Sequence, residues 1–213
     1  MCNNGIELIK YISDLIVLEN KKIKSNNFYY SYELGDFGGS IIVKPDEYKT
    51  KYDKKGGDKD IMFLSNKLGV IYYSSYGEKG KSGKDIYMIK KIEDGNWSEP
   101  INLGPVINTP ADEDYPFIHP DSISLYFCSK GHNSMGGYDI FKSVYDTISK
   151  TWGEPVNLDF PTNSPYDDIL YITDTNENYA YFASNRETFG DKISVYKIQV
   201  DKNPIEKQFN SLD

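Results

Sequence analysis

The chain has 213 residues and a net charge of −8, with no basic stripe to offset the acid, which disfavours nucleic acid or an anionic membrane surface as a partner through bulk electrostatics. Tyr numbers 19 and aromatics make up 15% of residues, a composition that favours strands, while 17 Gly and 10 Pro read as turns between short apolar runs. No apolar run reaches the roughly 18 residues of a membrane-spanning helix, and two cysteines, Cys2 and Cys128, are too few for a disulfide framework.

In chain order, Ile6, Ile9, Ile12, Leu15, Ile16 and Val17 approach helical spacing. They predict an amphipathic helix over residues 6–20 and a polar linker to residue 27. Glu7, Lys10 and Asp14 interrupt that stretch and no basic segment precedes it, so it is not read as a secretory signal. From Phe28 onward only short strands are predicted. Residues 28–34 and 40–43 read as two outer strands of a half-unit over 28–57.

The rest of the chain repeats itself. Tyr72-Tyr73-Ser74-Ser75 returns as Tyr126-Phe127-Cys128-Ser129 and as Tyr181-Phe182-Ala183-Ser184, first 54 and then 55 residues on. Asp85-Ile86-Tyr87 returns as Asp139-Ile140-Phe141 and, less closely, as Ser194-Val195-Tyr196. Trp97-Ser98-Glu99-Pro100 with Asn102-Leu103 returns as Trp152-Gly153-Glu154-Pro155 with Asn157-Leu158. A sustained period of this length predicts stacked supersecondary units, none of which can bury its apolar face alone. The predicted units are four-stranded and cover 58–103, 112–158 and 167–200; the last lacks its fourth strand, and 201–213 is a polar tail. Four-stranded antiparallel units arranged radially form a β-propeller, which needs about four to eight of them. The expectation is therefore an all-β propeller segment of about three blades, either part of a longer propeller or a ring closed by two chains.

The run Asp112-Glu113-Asp114, Tyr115-Pro116-Phe117-Ile118, His119-Pro120-Asp121, Tyr126-Phe127-Cys128-Ser129, Gly137-Tyr138-Asp139-Ile140-Phe141 and Trp152-Gly153-Glu154-Pro155 resembles the TolB-type, WD-repeat-like propeller repeat. Residues 129–141 are similar to repeats in envelope proteins of Bacteroidota that often carry an OmpA-like domain. The resemblance implies a non-catalytic interaction platform in the periplasm or at the outer membrane. It also implies a protein partner, with peptidoglycan reached through a separate domain. No cofactor is expected.

Each candidate residue has a structural and a functional reading. Asp58 and Asp60, Asp112 to Asp114, and Asp167 with Asp168 recur in phase; they read as caps of the turns entering the innermost strands, or as a carboxylate ring for Ca²⁺ or a basic partner. Pro120 and Asp121 read as a turn between two strands, and His119 as a strand-end residue. With His132 the only other histidine, no metal site is predicted. Tyr126 and Asp139 belong to the repeat motif. Trp97 and Trp152 read as residues packed between units on a Pro-blunted outer strand, or as a sugar platform. The loop 130–137 and its equivalents read as hairpin connections or as a recognition surface in which Lys130, His132, Asn133 and Arg186 present donors. The predicted function is a protein-interaction scaffold of the bacterial envelope; the rivals are a glycan or peptidoglycan binder and a hydrolase using paired acids.

Overall fold

The computed structural model describes residues 11–12, 15–35, 37–55, 60–66, 69–77, 83–92, 95–202 and 205–206. In chain order the strands are β1 (Tyr11–Ile12), β2 (Ile16–Lys24), β3 (Gly39–Val43), β4 (Ile61–Ser65), β5 (Val70–Ser75), β6 (Asp85–Lys90), β7 (Ile101–Asn102) and β8 (Glu113–Ile118). They continue with β9 (Ser124–Ser129), β10 (Asp139–Asp146), β11 (Thr151–Trp152), β12 (Val156–Asn157), β13 (Asp168–Thr173), β14 (Tyr179–Ser184), β15 (Lys192–Gln199) and β16 (Ile205–Glu206). The fold is all-β and its sheets are antiparallel. The sheets are β5-β6-β7, β8-β9-β10 with β11 and β12 on the outer edge, β13-β14-β15-β2, the pair β3-β4, and the short pair β1-β16. Among the described residues no strand pairing joins one sheet to the next.

The period of the sequence appears in the backbone. The pairing of β8 with β9 slips between Asp114 and Phe117, and that of β13 with β14 between Ile169 and Ile172. At these bulges Tyr115 (φ 52°) and Leu170 (φ 54°) adopt the left-handed region that non-glycine residues rarely enter. The turns that follow repeat it at Ser122 (φ 67°) and Glu177 (φ 50°). Asp121 caps the first of these turns by accepting from the Ile123 and Ser124 amides, both at 2.9 Å.

Three expectations are corrected. Residues 16–20 are not helical: they open β2, which pairs with β15 (Asn20 opposite Tyr196, Ile23 opposite Ile193). The exposed edge of β15 offers a ladder to a segment whose burial alternates over 19–24, and Ile16, Val17 and Ile23 suit a pleated strand better than a helix. Residues 6–10 lie outside the described residues. β2 also takes the fourth position of the last sheet, the position with no candidate in the sequence after Val200. Second, Ser25–Ser31 is a 3₁₀ helix rather than linker and strand; Ser31 Oγ donates to the Phe28 carbonyl at 2.6 Å, and Phe28 and Tyr29 are buried. Third, β4 pairs with β3 and not with β5, so the expected unit 58–103 is divided between two sheets. Met62 of β4 still packs with Ile71, Tyr73 and Ile89. The predicted fourth strands are short: Pro155, with no N–H to donate, falls between β11 and β12.

The core forms three apolar clusters. The main one gathers Phe28, Tyr32 and Phe37 against Tyr181 and Phe182, and joins Phe63 to Phe117 and Tyr126. The second contains Tyr72, Ile86, Leu125, Phe127 and Phe141, with Trp152 packed against it. Trp152 lies edge-on to Tyr72 at 6.3 Å and to Tyr145 at 5.1 Å, bridging two sheets as expected of an inter-unit residue. Trp97, at the corresponding place one period earlier, is 38% exposed.

Candidate functional site

The recurring polar residues form hydrogen-bonded staples. Glu113 accepts from the Thr109 amide (2.8 Å) and hydroxyl (2.7 Å) and from Ser129 Oγ (2.6 Å). Asp168 repeats this with the Ser164 amide and hydroxyl, and adds Arg186. The first unit places Asp53 in the same role, accepting from Thr50, from Ser75 Oγ (2.7 Å) and from the Tyr76 amide (2.9 Å). The sequence reading put Asp58 in that phase; Asp58 lies outside the described residues, and Asp53 was missed. These acids are buried, so each is held by several donors.

Asp112 and Asp167 do not cap their own turns. Asp112 Oδ1 accepts the Lys84 amide and Asp167 Oδ1 the Tyr138 amide, both at 3.0 Å. The Glu113 and Asp168 amides return bonds to the Lys84 and Tyr138 carbonyls at 2.7 Å. Each acid thus ties its own sheet to the third strand of the preceding unit. A further pair escaped the sequence reading. Asn108 and Asn163 use their side-chain amides as an extra strand residue, bonding both the N–H and the C=O of Ile86 and Ile140 and donating to Asn102 and Asn157. The signal was present: they stand 55 residues apart, six residues after the repeated Asn-Leu.

Asp139 is wholly buried. Its Oδ2 accepts from the Met135 amide (2.8 Å) and Asn157 Nδ2 (2.9 Å), and its Oδ1 has no partner among the described residues. Burial pushes its carboxyl up to about 6; the two hydrogen bonds oppose this, and the Asp168 and Asp159 charges add to it. The raised value means that Asp139 favours the fold fully below the ordinary carboxylate pKa, and that this contribution is lost as pH rises through about 6. Urea unfolding between pH 4 and pH 7 is expected to show a decline in stability that Asp139→Asn reduces by up to about 3 kcal/mol. Parallel curves for the two proteins would refute this.

The four residues predicted as a donor surface separate. Lys130 and Asn133 are exposed, and Lys130 Nζ meets Asp112 Oδ2 at 2.9 Å while lying 4.5 Å from the Tyr138 ring centre. His132 turns inward, with Nε2 2.8 Å from the Ile107 carbonyl and its ring against Phe127 and Phe141. Arg186 is a clamp: it donates to the Pro161 and Thr162 carbonyls, to Ser184 Oγ and to Asp168, over the rings of Phe182 and Tyr196. His119 contacts the Asp174 carbonyl, and Tyr126 donates to Glu177, which also holds Lys142.

Where β4, β8 and the loops preceding β6 and β10 converge, a cavity of about 580 Å³ opens. Tyr76, Tyr115 and Tyr138 line it, together with Lys84 and Lys130 and the acids Asp60, Asp112 and Asp114. Lys84 Nζ bridges Asp60 (2.8 Å) and Asp114 (2.9 Å). Burial disfavours its charge, but the Asp114 and Asp60 carboxylates more than offset this and hold its pKa above the usual lysine value. Asp112 sits below the usual carboxylate range: burial works against its charge, and Lys130 and the Lys84 amide outweigh it.

No protein-family model matches the chain, and no curated protein does.

Proposed function

We propose that this chain is a non-catalytic β-propeller segment of TolB-type repeats that serves as a protein-interaction scaffold in the bacterial cell envelope. The observation that carries the reading is the staple repeated in phase: Asp112 and Asp167 fasten neighbouring units with the same two backbone bonds. Such fastening holds the loops between the second and third strands in fixed register, and a rigid scaffold presenting loops is a common way to build a binding surface. Lys130 and Asn133 are the exposed members of that surface. The acids a hydrolase would use support binding instead, because Asp112 and Asp114 are each engaged by a backbone amide and a lysine. The repeat residues resemble envelope proteins, which is the basis for the location, and the −8 charge favours a partner with a basic patch.

The test is site-specific photocrosslinking in a Bacteroidota envelope extract. A crosslinker at Asn133 is expected to yield one discrete protein adduct. The same group at Ile148, 92% exposed in the β10–β11 turn, is expected to yield none. No adduct at Asn133, or identical adducts at both positions, would count against the reading.

A further inference from the structure

We infer that the cavity bounded by Tyr76, Tyr115 and Tyr138 is a binding site for an uncharged, polyhydroxylated ring, that is, a neutral sugar. The argument begins with its charges. All six oxygens of the three lining carboxylates are engaged. Asp60 meets Lys84 at 2.8 Å through Oδ1 and Lys44 at 3.2 Å through Oδ2. Asp112 takes the Lys84 amide at 3.0 Å and Lys130 Nζ at 2.9 Å. Asp114 takes Ser74 Oγ and the Tyr115 amide (2.8 Å) on Oδ1, and Lys84 Nζ at 2.9 Å on Oδ2. A charged ligand would therefore have to break an existing ion pair inside a partly buried site, which costs more than the new pair returns.

An uncharged ligand meets no such obstacle. A carboxylate oxygen that already accepts one hydrogen bond keeps a second lone pair, and an ammonium has three donors. Lys130, its side chain 44% exposed, spends one of them on Asp112. The wall thus offers acceptors and donors to hydroxyl groups without offering a net counter-charge. The three tyrosines supply the other half of the requirement. Their rings provide apolar surface, and their hydroxyls donate to no other described residue, leaving them for an incoming group. The volume lies within the range of about 300–1,000 Å³ typical of small-ligand sites. The combination of aromatic surface, pre-paired charges and free hydroxyls suits a ring with one apolar face and a rim of hydroxyls. This site goes beyond the protein-scaffold reading and does not depend on it, since the loop surface at Asn133 is tested separately.

The experiment is isothermal titration of the full chain with cellobiose, maltose and di-N-acetylchitobiose, with trilysine and triglutamate as charged probes of similar size. Saturable binding of at least one disaccharide is expected, with none for either peptide. Tyr138→Ala is expected to weaken it about tenfold or more, and Tyr138→Phe, which keeps the ring, less. A thermal melt of each variant accompanies the titration; if Tyr138→Ala does not fold, Tyr138→Phe and Lys130→Ala carry the comparison, each expected to weaken binding. The inference is overturned if no disaccharide saturates the folded chain up to about 20 mM, if the charged peptides bind and the sugars do not, or if the folded variants bind as tightly as the parent.

Discussion

Replacing Arg186 by methionine is expected to cost about 3–5 kcal/mol of stability. Asp168 is wholly buried at the start of β13, and Arg186 is the cation that faces it. Burial raises the Asp168 carboxyl, while the guanidinium and the Ser184 and Ser164 hydroxyls oppose that rise. Methionine keeps much of the apolar stem over Phe182 and Tyr196 but leaves the carboxylate without its counter-charge, and also frees the Pro161 and Thr162 carbonyls. Thermal unfolding should fall by about 10 °C, at roughly 2–4 °C per kcal/mol for a chain of this size. The double variant Arg186→Met with Asp168→Asn should recover part of the loss, because the uncompensated charge is gone. An unchanged melt in the single variant would show that the pair is not a fastening of the last sheet.

The second large effect is expected at Asn163. Asn163→Asp preserves size and shape but exchanges two N–H donors for an acceptor. The Ile140 and Asn157 oxygens, which now accept from Asn163 Nδ2 at 2.8 Å and 2.7 Å, would then face a carboxylate oxygen in a site with no exposure. Leaving buried polar groups unsatisfied costs about 1–3 kcal/mol each, more when one is charged, so a loss of about 3 kcal/mol or more is expected in denaturant unfolding. Asn108→Asp, at a site that is 9% exposed, should lose less. Equal, small losses at both positions would mean that the amides fill space without acting as surrogate strand residues.

How much of this was legible in the sequence follows from what is local and what is not. The 54–55-residue period is local information copied along the chain, and it located the turn at Asp121, the inter-unit Trp152 and the fastening acids Asp112 and Asp167. It missed Asn108 and Asn163 because attention stopped at the more conspicuous Trp-Glu-Pro motif, although the second Asn repeats just as faithfully. Asp53 escaped for a different reason: it follows Thr50 by three residues, whereas Glu113 follows Thr109 and Asp168 follows Ser164 by four, so it falls out of phase. The placement of β2 beside β15 could not be read from local pattern. Its ladder joins Asn20 to Tyr196, and a segment with near-helical apolar spacing became a strand because an open sheet edge was there to receive it. The same distance in sequence hid the inward turn of Arg186, whose burial is set by Asp168 and by the rings of Phe182 and Tyr196.

The central claim is that residues repeated in phase fasten the units into one scaffold, and native-state hydrogen exchange tests it most directly. The amides of Lys84 and Tyr138, held by Asp112 and Asp167, and those of Ile86 and Ile140, held by Asn108 and Asn163, are the ones to follow. The account predicts that all four exchange as slowly as core amides of β9 and β14, opening only in the cooperative unfolding of the sheets. Exchange at the rate of the exposed loop amides, while β9 and β14 stay protected, would contradict it.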